Sequence, residues 1–171
     1  MARIVFGVLL LLVALPASAQ RTQLYGGRLS LQLPGDFRLM TDAEIAAKYP
    51  RARPPQYAFT DSDRFTRTIT FNRRPLNREA QPLSELGAEM QRQLAVQAGI
   101  TVHRHGLIDF RQRVWYVIEF RSTTIDQPVE NLMRVTVADK HLIVVSANAV
   151  RRLFDQSEAA LREALGSVTV H

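Results

Sequence analysis

Apolar and polar positions alternate through residues 24–33, with Leu29, Leu31 and Leu33 pointing one way and Arg28, Ser30 and Gln32 the other. That is the pattern of a half-buried strand. Pro34-Gly35-Asp36 marks a turn, and residues 37–40 a short extended piece. Thr41 and Glu44 are spaced as a capping box, which predicts a short helix to about Lys48. Pro50, Pro54 and Pro55 interrupt regular structure beyond it. Residues 56–60 and 65–72 read as two strands joined at Asp61-Ser62-Asp63. Phe65, Ile69 and Phe71 take one side of the second strand, and Thr66, Thr68 and Thr70 a side that tolerates water.

Leu83, Leu86, Met90 and Leu94 recur at spacings of three and four, which predicts a helix over 83–98 closed by Gly99. Residues 100–110 with 113–123, and 129–138 with 141–147, alternate and are joined by short turns, the second at Asp139-Lys140. Asp155 with Glu158 opens a last helix that buries Leu161 and Leu165, ends at Gly166 and releases Val168-Thr169-Val170 as an extended tail. Strands that follow one another through short turns make a largely antiparallel sheet, and helices flank it. The class is α+β, in one domain over residues 20–171.

Residues 1–19 belong to a different pattern. Arg3 precedes an apolar run from Ile4 to Leu15, Pro16 breaks it, and Ala17-Ser18-Ala19 has the form of a cleavage site. This predicts a secretory signal peptide cut after Ala19, and hence a periplasmic or secreted protein without a stable membrane anchor. The apolar run is shorter than the roughly 20 residues that cross a bilayer. The chain has no cysteine, which excludes disulfides, thiolate chemistry and lipid attachment through sulfur. A hydrophobic core must then hold the domain together.

Charge adds a location. The net charge of +6 comes with 22 Lys+Arg and 16 Asp+Glu. Residues 48–78 hold eight bases against two acids, so nearly all of the excess sits there. Guanidinium binds carboxylate and phosphate in bidentate fashion. Arg64, Arg67, Arg73, Arg74 and Arg78 are therefore the candidate partner-binding residues, and the matching partner is an acidic protein surface. A solvated arginine-rich face explains the same residues without a partner. A secreted address and the lack of aromatic residues interleaved with the bases argue against nucleic acid.

Catalytic and cofactor signals are sparse. No G-x-S-x-G, H-E-x-x-H or glycine-rich phosphate loop occurs, and no cofactor is implied. His103 and His105, two apart on a strand, would share a face. With His141, His171, Asp109 or Glu119 as a third ligand they offer an alternative, a small metal-dependent hydrolase. Exposed histidines on a wet face account for them equally well. Carriage of a small ligand between sheet and helix is a third reading.

Several phrases, taken in order, carry a resemblance: Leu31-Gln32-Leu33-Pro34-Gly35-Asp36-Phe37, the capped helix at 42–49, the central helix at 83–98, and Leu142-Ile143-Val144-Val145-Ser146-Ala147 followed by residues 154–168. In these the chain resembles the Mog1/PsbP-like fold, an α/β/α sandwich. The resemblance implies a non-enzymatic binding or assembly protein; together with the signal peptide and the basic segment, the expected function is a chaperone-like assembly factor or a toxin-neutralising immunity protein that works by protein contact. It brings no active-site residues with it.

Overall fold

The computed structural model describes residues 20–50, 54–76, 81–123 and 127–171. The predicted signal segment, and Arg51, Arg53 and Arg78 of the basic segment, lie outside those residues. In chain order the strands are β1 (Gln20–Leu24), β2 (Leu29–Leu33), β3 (Arg38–Leu39), β4 (Tyr57–Thr60), β5 (Arg67–Pro75), β6 (Ile100–Phe110), β7 (Arg113–Thr123), β8 (Pro128–Ala138), β9 (His141–Val150) and β10 (Thr169–Val170). The helices are α1 (Asp42–Lys48), α2 (Leu83–Ala95) and α3 (Arg151–Ser167). A three-stranded sheet runs β1-β2-β10 and a seven-stranded sheet β3-β4-β5-β9-β8-β7-β6, with antiparallel pairing throughout. This is the α+β architecture that the pattern predicts.

Strand periodicity sorts the core into layers. On one face of the large sheet, Ile69, Phe71, Trp115, Leu132 and Val145 pack with Leu161 and Leu165 of α3 and with Leu29, Leu31 and Leu33 of the small sheet. On the other, Tyr116, Ile118, Phe120 and Val135 meet Leu83, Met90 and Leu94 of α2, while Met40 and Ala58 enclose Ile45 of α1. Each fully buried leucine contributes about 2 kcal/mol. Helix α2 comes close to the sheet at Gly87, where an added Cβ would stand 2.1 Å from Cγ of Tyr116. Among the described residues no helix is long and apolar enough to cross a membrane.

Several elements differ from expectation. Residues 24–33 are not one strand: Tyr25, Gly26 and Gly27 all have positive φ and turn the chain between β1 and β2. The glycine pair permits this reversal. The threonine side of β5 is not wet, since Thr68 is 1% and Thr70 9% exposed. Helix α2 stops at Ala95, and Gly99 (φ 77°) serves the turn into β6 instead of a cap. Helix α3 begins four residues early, directly from β9 and without a side-chain cap. Asp155 there accepts a hydrogen bond from Arg151 Nη1 at 2.6 Å, an i,i+4 ion pair inside the helix. Gly166 is an ordinary helical residue, with α3 continuing to Ser167.

Candidate functional site

Strand β5 carries most of the candidate arginines and separates them. Arg67 opens the strand and Arg73 lies six residues on, so at ~3.3 Å per residue they stand about 20 Å apart. The five arginines therefore do not make one cluster. Arg73 pairs with Ile143 on the side of the small sheet, and Arg74 with Leu142 on the side of α2. Arg78 falls outside the described residues.

The end at Arg67 is matched by acid. Arg67 Nε is 2.9 Å from Asp61 Oδ2, and its Nη2 meets Asp36. Asp61 also accepts from the Thr66 hydroxyl at 2.8 Å and the Arg67 backbone N–H at 3.0 Å. Burial works to raise the Asp61 carboxyl, but the bonds from Arg67 and Thr66 outweigh it and leave it below its ordinary pKa. Arg38 joins Glu44 at 2.7 Å and Asp63 at 2.5 Å. The Arg38 guanidinium, helped by the Thr41 amide, holds Glu44 at about 2. In the same row across the sheet, buried Glu130 is 2.7 Å from Arg121 and 3.5 Å from Arg151. Arg64 is exposed in the β4–β5 turn and makes no ion pair among the described residues.

The end at Arg73 is built differently. Here β5 finishes, the β8–β9 turn brings Asp139 and Lys140, and the β6–β7 turn brings Arg111 and Gln112 ahead of Arg113. Arg28, in the β1–β2 turn, pairs with Asp139 at 3.6 Å across an exposed gap. Arg73, Arg74, Arg111, Arg113 and Lys140 make no ion pair among the described residues. Position is nevertheless fixed: Gln56 Oε1 accepts from the Arg73 backbone N–H at 2.7 Å and from the Tyr25 hydroxyl at 2.9 Å. Burial, with Tyr57 beside it, pushes the Tyr25 hydroxyl well above its ordinary pKa and keeps it a donor. His141 Nδ1 is 2.6 Å from the Asp139 carbonyl and 3.1 Å from Arg73 Nη2.

Arg28, Arg111, Arg113 and Lys140 were not among the sequence candidates. Arg111, Arg113 and Lys140 come to one end because alternate turns of the large antiparallel sheet fall there, and Arg28 of the small sheet reaches that end through Asp139. The two predicted hairpins, 100–123 and 129–147, held that signal.

The histidine pair does not share a face. A bulge between Val102 and Arg104 inserts His103 and reverses the phase of the strand behind it. His105, opposite Ile118, stands on the α2 side with its Nδ1 3.2 Å from the Tyr116 hydroxyl. His103 instead acts on Glu119, whose carboxyl is held low first by Arg162. Arg162 takes Glu119 in bidentate fashion at 2.7 and 2.9 Å, and Arg104 adds 3.1 Å. Of the other candidate ligands, His171 Nε2 lies 3.1 Å from Ser30 Oγ on the small sheet, and Asp109 opposes Val114 on the α2 side. Among the described residues no three His, Asp or Glu side chains are grouped to hold a metal.

No protein-family model and no curated protein matches the sequence. Solved structures do match it. The solution structure of the cyanobacterial PsbP from Synechocystis sp. PCC 6803 is 15% identical, with a TM-score of 0.66 over 93% of this chain and 96% of that one. The Ran-binding protein Mog1p of Saccharomyces cerevisiae is 11% identical, with a TM-score of 0.56 over 90% of this chain and 95% of that one. LpqN of Mycobacterium tuberculosis is 13% identical, with a TM-score of 0.55 over 88% and 90%. The chain has the Mog1/PsbP-like fold. At these identities the likeness concerns the fold alone.

Proposed function

We propose that this chain is a non-enzymatic, extracytoplasmic binding or accessory protein that contacts an acidic protein surface through the basic end of its large sheet. The observation that carries this reading is the contrast in pairing along β5. Arg67 is engaged by Asp61 and Asp36, whereas Arg73 and Arg74 have no carboxylate partner and stand with Lys140 and the Arg111–Arg113 turn. An excess of guanidinium at one place favours carboxylates on a partner and speeds encounter with it. The fold is shared with a Ran-binding protein and with an LpqN described as involved in cell envelope biogenesis, which supports a role by contact. The signal pattern of residues 1–19 supports the address outside the cytoplasm.

The test is affinity capture from envelope extract with the wild-type chain and with the Arg73→Glu, Arg74→Glu pair. The wild type retains a protein at low ionic strength and releases it as salt shortens the screening length to below ~10 Å. The charge-reversed chain fails to retain it. Equal retention by both chains, at every salt concentration, overturns the assignment of this surface.

A further inference from the structure

At the basic end a cleft of about 240 Å³ opens between the β6–β7 hairpin and β10. Phe110 and Val170 are the partly exposed apolar residues on it, Trp115 and Val168 lie buried behind them, and Arg111 and Arg113 are the charged residues. No acidic side chain lines the cleft. The two guanidiniums are also poorly occupied by the rest of the protein. Arg111 lies over the Phe110 ring at 5.5 Å, and Arg113 reaches only the Val137 carbonyl, at 3.4 Å. At a small recess between the sheet and α3, Glu119 takes up Arg104 and Arg162, while Arg134 donates to the Leu165 carbonyl at 3.1 Å and lies over the Phe110 ring at 5.1 Å.

The backbone adds a second observation. Arg111 and Gln112 both have positive φ, 49° and 60°. A two-residue hairpin of this kind ordinarily uses Asn-Gly, because both positions are left-handed. The β8–β9 turn is built the same way, with Asp139 and Lys140 at φ 48° and 58°, so both hairpins present a basic side chain from a left-handed turn at this end.

We propose that this cleft binds a small organic carboxylate, its anionic group held by Arg111 and Arg113 and its apolar body against the partly exposed Phe110 and Val170. A pair of guanidiniums suits a planar carboxylate, which each can meet with two parallel N–H donors. The aromatic and valine surface has no use for a fully hydrated anion and instead rewards burial of a ring or short chain. Arg111 and Arg113 belong to the same basic end as the protein contact proposed above, but that contact is tested at Arg73 and Arg74, which do not line the cleft, so the two readings fail separately.

Trp115 is the only tryptophan of the chain and lies buried against the cleft, so it reports on a change there from within the core. Benzoate is the probe, titrated at constant ionic strength while tryptophan fluorescence and the indole N–H resonance are followed. A saturable change is expected with benzoate. Benzyl alcohol, which keeps the ring but lacks the charge, and inorganic phosphate, which keeps the charge but lacks the ring, leave both signals unchanged at the same concentrations. The Arg111→Gln, Arg113→Gln pair weakens benzoate by about tenfold or more, the equivalent of one charge-assisted bond. Arg111→Gln alone, at an exposed turn, weakens it in the same direction and guards against misfolding of the pair. No saturable response to benzoate, an equal response to benzyl alcohol, or undiminished affinity in both variants with native circular dichroism overturns the proposal. Saturable binding of phosphate equal to that of benzoate also overturns it, by showing a general anion site.

Discussion

The two ends of the seven-stranded sheet are both rich in arginine and use it in opposite ways. At one end Arg38, Arg67, Arg121 and Arg151 each meet a carboxylate, with exposed Arg64 left over, and the acids Asp61 and Glu130 are themselves buried or nearly so. At the other, Arg73, Arg74, Arg111, Arg113 and Lys140 make no ion pair among the described residues, and Arg111 and Arg113 border a cleft that no acid lines. Charge that is already paired belongs to the fold, because removing one partner strands the other. Charge that is left unpaired contributes little to stability and is available to something outside the chain. Net charge alone does not reveal this division.

The largest expected effect breaks both ends together. Gly87→Ala forces a methyl group into the Tyr116 ring under α2, and destabilisation of about 3 kcal/mol is expected from overpacking a buried contact. Urea unfolding measures it, and a loss below about 1 kcal/mol would show that α2 can slide on the sheet.

Asp61→Ala comes next and attacks the paired end alone. It leaves the Thr66 hydroxyl and the Arg67 side chain and amide without their acceptor, for an expected loss of about 2 kcal/mol. The paired end is also the acid-labile one. Asp61 and Glu44 both sit below their ordinary carboxyl values in the folded protein, Glu44 at about 2 against 4.5. A depressed carboxyl favours the folded state above its unfolded pKa and loses that advantage as pH falls toward its folded pKa. The urea midpoint should therefore drop as pH falls from 4.5 toward 2, and Asp61→Asn should flatten part of that drop. A variant with an unchanged slope would remove Asp61 from the account.

The smallest effect on stability is expected at the unpaired end. Arg73→Glu and Arg74→Glu should each shift stability by no more than about 0.5 kcal/mol. A larger loss would mean that these side chains serve the fold as Arg67 does, and the contrast between the ends would disappear.

Much of the fold is legible in the sequence because local chemistry specifies it. Thr41 and Glu44 form both bonds of the capping box, and the Asp139-Lys140 turn closes its hairpin as the pattern requires. The start of α3 is hidden because Val150 caps it without a side-chain bond. The bulge at His103 is hidden for a similar reason: one inserted residue reverses a strand's phase without any residue type that announces it. The candidate site is less legible than the fold. Arg73 and Arg74 are visible as neighbours in a basic run, yet strand alternation puts them on opposite faces. Arg67 looks like its companions until Asp36, 31 residues away, is seen beside it. Which arginines are free is a property of long-range pairing, and composition does not contain it.

The central claim, that the arginines of the unpaired end serve a partner and not the fold, is tested most directly by the Arg73→Glu, Arg74→Glu chain measured for two quantities at once. These are the urea midpoint and the retention, at low salt, of an envelope protein that the wild type is expected to capture. The account predicts an unchanged midpoint with retention lost. A lowered midpoint, or full retention with wild-type salt dependence, would contradict it.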